Sequence, residues 1–271
     1  VRDERTVDTV AVAQYLVHED VPQPRSILAN VRKLGPGEML AWDEAQGLRI
    51  ERYYSPRYGT RLRGNPDVLR EGLLARVDRA VARRLVADVP VGVFLSGGLD
   101  SSLVAALAVR HHPHIQTFAI GFDDPSFDER EHAAAVAQHL GTTHHVEVLS
   151  ARALVDAVEP TLDWMDEPHA DTSILPTSML ARLARQHVTV ALGGDGGDEI
   201  LAGYPTFVAD KALGPLPPSA RLGRALARAA RWAPRSDANF SLGFKLRQMA
   251  QGMGARGAER HARWLAAVAP E

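Results

Sequence analysis

The stretch Val91–Ser102, VGVFLSGGLDSS, constrains what this 271-residue chain can fold into more than any other segment. VPVGVFLS is a short apolar run of the kind that forms a buried strand, and SLVAALAVR beyond it has the spacing of a helix. Between them, Gly97 and Gly98 can take positive φ and let a ligand approach the backbone closely. Ser96, Ser101 and Ser102 add hydroxyl donors. The helix that follows presents unpaired N–H groups and a dipole that favour an anion. Strand, glycine loop and helix start together make a phosphate cradle. A lone Gly-Gly is more often a plain turn, but the order Ser, Gly-Gly, Leu, Asp, Ser-Ser between strand and helix favours the cradle. The loop is not a Walker A sequence, because no Gly-Lys-Ser/Thr follows, and it lacks the G-x-G-x-x-G dinucleotide pattern. Phe94 stands where a serine-hydrolase elbow needs its first glycine.

The rest of the chain supplies a setting for such a loop. From about Asp67 the pattern alternates between helix and strand. VLREGLLARVDRAVARRLV predicts a helix, TFAIGF and HHVEVL predict the next strands, and HVTVALGG predicts a fourth. Helices are expected over roughly 128–140, with Gly141 as the C′ residue, and over about 151–164 and 173–187. Strands separated by single helices imply right-handed crossovers, hence an α/β fold with a doubly wound parallel sheet and flanking helices. In such sheets ligands sit at the carboxyl ends of the strands, near the switch in strand order. Residues 1–60 read differently: VDTVAVAQYLVHED is a short amphipathic stretch, and Gly35-Pro36-Gly37 and Gln46-Gly47 punctuate pieces of a β-hairpin. That is too little to hold a core of its own. Residues 61–214 carry the alternating pattern. Residues 215–271 are helical, rich in Arg and Ala, and broken by Pro215, Pro217 and Pro218.

A second glycine loop, Gly193-Gly194-Asp195-Gly196-Gly197-Asp198-Glu199, ends the fourth predicted strand. Its three carboxylates would repel a bound phosphate unless a cation stood between them, and hard oxygen ligands of this kind suit Mg²⁺. Should the loop run straight into a helix, Asp195 and Asp198 would share a face. By itself such a loop is equally a solvated acidic turn; beside SGGLDSS in one parallel sheet, the metal reading is favoured.

Composition closes off other chemistry. There is no cysteine, which excludes disulfides, thiolate metal sites and cysteine nucleophiles within this chain. The net charge of −2 gives no overall pull toward nucleic acid or anionic membrane. No apolar run approaches the roughly 20 residues of a membrane span, and no signal peptide is legible, so a cytoplasmic setting is expected. The basic residues are three lysines and 28 arginines. The chain opens on Val1 and ends at Glu271 inside helical sequence, and it reads as an internal fragment.

SGGLDSS at 96–102 resembles the pyrophosphate-binding loop of the N-type ATP pyrophosphatases, most closely that of the glutamine-dependent asparagine synthetases. GGDGGDEILAGY resembles the second signature of the same synthetases, and the TFAIGF strand matches as well. The resemblance implies an adenine nucleotide α-hydrolase-like fold. It implies ATP and Mg²⁺ as cofactors, cleavage between the α- and β-phosphates, adenylation of a carboxylate (aspartate-like) and its amidation. On it, Leu95 and Ile120 are main-chain contacts to adenine, and Ser96, Gly97, Gly98, Asp100, Ser101 and Ser102 cradle pyrophosphate. Gly193 and Gly194 lie against the nucleotide, Asp100 and Asp198 hold the metal, and Asp195 and Glu199 position substrate or nucleophile. Residues 1–60 resemble the C-terminal remnant of the family's glutaminase domain with its linker, and ammonia would come from the part of that domain not present here. The family's adenylation-supporting lysine and the motif beyond it have no match before Glu271, so the isolated chain is expected to be inactive. A homodimer is left open. Two alternatives stand beside this reading: another pyrophosphatase-loop ligase of β-lactam-, NAD- or GMP-synthetase type, and a nucleotide-binding module without turnover.

Other candidates are weaker. His111, His112 and His114, with His144 and His145, have poor spacing for zinc. Asp128 is expected to cap a helix rather than touch nucleotide. Asp166, Glu167 and Asp171 match a family region close to the carboxylate substrate. The Arg-rich stretch 221–235 reads as a solvated helix face rather than an RNA site.

Overall fold

The computed structural model of the chain describes residues 5–57, 59, 62–214, 217–230, 232 and 241–266. Val1, Glu271, Pro215 and residues 231 and 233–235 of the Arg-rich stretch lie outside them. The chain divides into two compact units: Val1–Gly64 with Met165–Asp171 and Ala262–Glu271, and Asn65–Trp164 with Thr172–His261. No helix among the described residues is long and apolar enough to cross a membrane.

In the first unit Asp8 caps α1 (Thr9–His18), accepting from the Val10 N–H at 2.9 Å and the Ala11 N–H at 3.4 Å. The expected hairpin forms, with β1 (Glu38–Asp43) antiparallel to β2 (Gly47–Arg52) and Leu40 opposite Ile50, Trp42 opposite Leu48. Residues two apart share a side of a strand, so these four side chains form one apolar side of the ribbon, and all four are exposed. The segment 165–171 belongs to this unit. Its Glu167 accepts from the Ile27 N–H at 3.1 Å and pairs with Lys33 at 2.5 Å. Burial raises the Glu167 pKa, but hydrogen bonds from Lys33, Ser26 and Ile27 outweigh it and hold the carboxyl below its ordinary range.

The second unit contains α2 (Pro66–Arg84), β3 (Val91–Phe94), α3 (Leu99–His111), β4 (Gln116–Phe122), α4 (Arg130–Leu140) and β5 (Thr143–Leu149). It continues through α5 (Ala151–Leu162), α6 (Ile174–Arg185) and β6 (Val190–Leu192). The helices α7 (Gly197–Leu201), α8 (Pro205–Leu213), α9 (Ala220–Ala230) and α10 (Leu242–Gly252) follow, and α11 (Gly257–Leu265) comes last, its residues from Ala262 onward counted with the first unit. Local chemistry sets several of these ends. Asn65 caps α2 through the Asp67 N–H at 2.9 Å with Pro66 at the first position, Ser150 caps α5, and Gly141 closes α4 in the left-handed region.

The four strands are parallel in the order β5-β4-β3-β6. Side chains alternate across the sheet. Val93 and Ala119 join a core with Ala105, Ala108, Ala133 and Ala137 of α3 and α4, whose small side chains let those helices lie close. Phe118 faces the other way, against Ala184 and Val188, with Phe94 and Leu180 beside it. Helices therefore cover both faces, and the doubly wound α/β architecture expected from the alternating pattern is the one observed. β3 and β6 are shorter than the apolar runs around them. Pro90 has no N–H for the ladder, and past Phe94 and Leu192 the chain leaves the sheet for the glycine loops.

Opposite the loops, at the amino ends of the strands, Thr117 Oγ1 lies 2.9 Å from both Thr142 Oγ1 and His144 Nδ1. His145 points to the other face, stacked on Phe118 at 5.1 Å and on His187 at 3.8 Å. Burial pushes both strand histidines below their ordinary pKa; His145 adds to the effect on His144, and His187 to that on His145. A histidine whose folded pKa is depressed binds its proton more readily when unfolded, so stability is lost as pH falls through the unfolded value of about 6.5. The loss levels off below the folded pKa. Urea midpoints are expected to drop between about pH 7.5 and about pH 5.5, and His145→Phe, which keeps a stacked ring and cannot titrate, should shrink that drop. An unchanged drop in the variant would contradict this account of the stack.

Candidate active site

β3 delivers the chain into the first loop through Leu95, which is buried and donates its N–H to the Phe118 carbonyl at 2.8 Å. Gly97 has φ +84°, and a Cβ there would lie 2.5 Å from the Ala133 nitrogen, so the loop is pressed onto the first turn of α4. Only glycine meets both conditions. Gly98 precedes α3 with no side-chain cap, which leaves that helix's first N–H groups free for a ligand. The serines brace the loop from within. Ser101 Oγ lies 2.9 Å from Ser96 Oγ and accepts from the Ser96 N–H at 3.3 Å, and Ser96 Oγ accepts from the Gly98 N–H at 3.2 Å.

The acidic loop lies directly on this one. A Cβ at Gly194 would stand 2.8 Å from the Ser101 nitrogen, and one at Gly197 would stand 2.5 Å from the Asp100 carboxyl carbon. The strand order explains the meeting. From β3 the chain builds outward to β4 and β5, then returns to place β6 on the other side of β3, so the two loops flank the switch point where ligands bind in such sheets. The helical-face expectation for Asp195 and Asp198 fails. Gly196, at φ +85°, turns the chain before α7 begins at Gly197, and only Asp198 and Glu199 are on the helix. Glu199 accepts a hydrogen bond from the Tyr204 hydroxyl at 2.7 Å, which holds its carboxyl below the usual range.

Between the loops opens a cavity of about 980 Å³. Of the residues expected at the site, Leu95, Ser96, Gly98, Asp100, Ser101, Ile120, Gly193, Gly194, Asp195, Asp198 and Glu199 line it. Gly97 and Ser102 do not: Gly97 packs on α4, and Ser102 Oγ is buried without a hydrogen-bond partner. The wall has two characters. Phe94, Ile120, Phe122, Phe127, Pro176 and Leu180 make an apolar part, while Asp100, Glu129, Asp195, Asp198 and Glu199 put five carboxylates on it. No lysine, arginine or histidine among the described residues lines it. Among those residues, no three His, Asp or Glu side chains converge as a ready-made metal site.

Several candidates lie elsewhere. Asp128 is not the cap of α4; that position is Glu129. Asp128 instead accepts from the N–H groups of Phe122 at 3.4 Å and Arg130 at 3.2 Å and pairs with the Arg130 guanidinium, which holds its pKa down. It pins the end of β4 to the start of α4. His111 bonds Asp78 at 2.9 Å across α2 and α3. Glu167 is held by Lys33 and Ile27 in the first unit. Conversely, Phe122, Phe127, Glu129, Ser173, Thr177 and Tyr204 line the cavity without having been singled out in the sequence. Ser173 and Thr177 are one helical turn apart at the start of α6, a spacing that could have marked them.

The family model described as asparagine synthase matches residues 72–269. A Mycobacterium tuberculosis protein provisionally named asparagine synthetase [glutamine-hydrolyzing] is 38% identical over 213 residues, 77% of this chain and 32% of that protein. Asparagine synthetase [glutamine-hydrolyzing] 1 of Bacillus subtilis is 32% identical over 210 residues, again 77% of this chain and 33% of its own length. The chain thus spans about a third of the length of these curated relatives. Among solved structures, the NH3-dependent NAD synthetase of Campylobacter jejuni overlaps 49% of this chain and 60% of its own, at 17% identity and a TM-score of 0.36, too slight a likeness to bear on function. With the family model running from α2 through both glycine loops into the last helix, the chain belongs to the asparagine synthase family.

Proposed function

We propose that the second unit binds ATP with Mg²⁺ in the cavity between the two glycine loops. In the whole protein it would serve an AMP-forming carbon–nitrogen ligase that amidates a small carboxylate, most simply aspartate. The observation that carries this reading is the contact between loops almost a hundred residues apart in sequence: Gly194 has no room for a side chain because the backbone of Asp100 and Ser101 occupies it, and Gly197 lies against the Asp100 carboxylate. A carboxylate oxygen of the acceptor would attack the α-phosphorus, and the bond to the bridging oxygen of the β-phosphate would break. Ammonia would then attack the acyl carbon and expel AMP.

The residues divide this work by position. The free N–H groups at the start of α3, with Ser96 and Ser101, would hold the leaving pyrophosphate, and preorganised donors of this kind stabilise charge where it develops. The backbone of Leu95 and Ile120 would hold adenine beside the apolar wall. Asp195 and Glu199 would orient the acceptor or the incoming ammonia. An acid-lined wall without a cationic side chain would repel a triphosphate, so the site fits a nucleotide that arrives with its metal. Asp100 and Asp198 supply the hard oxygen ligands that Mg²⁺ takes alongside phosphate. The bound ion would neutralise the pyrophosphate as it departs. The same lack of a cation supports a second statement: the isolated chain binds ATP and does not turn it over. Residues 1–60, with the exposed apolar side of their hairpin, fit the end of a glutaminase domain that supplies the ammonia.

Pyrophosphate exchange in the full-length protein tests the site. Asp100→Ala is expected to lower exchange by roughly 10²–10³-fold, and exchange at the parent rate would remove Asp100 from the mechanism. Gly194→Val should abolish ATP binding in calorimetry, because its side chain would displace the first turn of α3; retained binding would mean that the nucleotide lies elsewhere. Screening carboxylic acids for AMP release should single out aspartate, and a stronger response to another acid would move the protein to a different branch of pyrophosphatase-loop ligases.

A further inference from the structure

Tyr204 lines the cavity, yet none of the roles above uses it. Its hydroxyl donates to Glu199 Oε1 at 2.7 Å. Glu199 needs such a restraint, because α7 is only five residues long and ends at Ala202 in the left-handed region. A helix of little more than one turn holds a long, rotamer-rich side chain loosely. The phenol, by contrast, is carried by a rigid frame. Tyr204 stands immediately before α8, whose first position is Pro205, and its ring stacks on Phe207 at 6.2 Å. Phe207 in turn stacks on His261 at 4.8 Å. The residue before that histidine, Arg260, is buried; it donates to the Ala255 carbonyl at 3.0 Å and pairs with Asp210 of α8 at 3.2 Å. The helix that presents the phenol is therefore held by a ring stack and by a buried guanidinium.

We propose that Tyr204 is a positioning residue: its hydroxyl fixes the Glu199 carboxylate on the cavity wall, and the Phe207–His261 stack keeps the phenol in place. The inference rests on the reading of this cavity as the ligase site with Glu199 at work in it. Tyr204 touches no reacting atom in this account. Its effect passes entirely through Glu199, and a misplaced catalytic group can cost orders of magnitude in rate without weakening substrate binding.

The test is kinetic, in the full-length protein, with AMP release in the presence of the carboxylate acceptor and ammonia measured for Tyr204→Phe, Glu199→Gln and the double variant. Tyr204→Phe keeps the ring and removes only the hydroxyl. Its kcat should fall roughly 10- to 100-fold with KM for ATP within about twofold, and in the Glu199→Gln background it should add nothing further. Equal losses in both backgrounds would show a structural role independent of Glu199, and an unchanged kcat in the single variant would show no role; either result overturns the proposal. If Glu199→Gln itself retains full AMP release, the reading of the site fails and the inference with it. Should Tyr204→Phe lack a cooperative thermal transition, Phe207→Leu replaces it, since it spares the phenol and removes its support. A smaller kcat loss, again absent beside Glu199→Gln, is then expected, and no loss overturns the proposal.

Discussion

The whole arrangement depends on the close approach of two backbone loops across the switch point of a parallel sheet. Gly194 rests against the backbone of the first turn of α3, which leaves no room for a Cβ there, and Gly197 rests against the Asp100 carboxylate. This closeness has a structural origin. β3 is flanked by the strand that follows it and by the last strand of the sheet, so the loops that leave β3 and β6 are neighbours at one end of the layer. The small residues of α3 and α4 keep those helices tight on the sheet, and Gly97 in the left-handed region fits the loop between β3 and α4. A cavity bordered by the uncapped start of α3 follows from these packing facts.

Electrostatics then decides what can enter. Five carboxylates face the cavity and no cationic side chain among the described residues does, so the site is poised for an anion only in company with a cation. The serines of the first loop are spent partly on each other, Ser96 with Ser101, and so shape the loop from within. The apolar part of the wall is built from Phe94, Phe122, Phe127, Pro176 and Leu180; Phe94 and Leu180 pack on Phe118, whose ring stacks on His145 on the same face of the sheet. The apolar part of the cavity and the His145 stack thus share one packed column.

Much of this was legible in the sequence because it is local. Glycines that must turn, a helix that starts without a cap, and strands made of short apolar runs announce themselves within a dozen residues. The lengths of β3 and β6 were not, since the predicted runs continue past Phe94 and Leu192 while the chain already turns out of the sheet. Asp128 illustrates a different limit: a carboxylate before a helix looks like a cap, but here a guanidinium two residues on and the Phe122 N–H claim it. Glu167 shows the same at longer range, engaged by Lys33 from 134 residues away. The apolar wall and Tyr204 were invisible because side chains from β4, α6 and the stretch before α8 acquire meaning only when the sheet brings them to one mouth.

The central claim is that a triphosphate binds this acid-lined cavity only together with a divalent cation. Titration calorimetry of ATP into the chain, with Mg²⁺ and then with the metal chelated, tests it most directly. Binding in the presence of Mg²⁺ that weakens at least about tenfold, roughly 1.4 kcal/mol, on chelation is the predicted result. Equal affinity in both conditions, or no binding in either, would contradict the account.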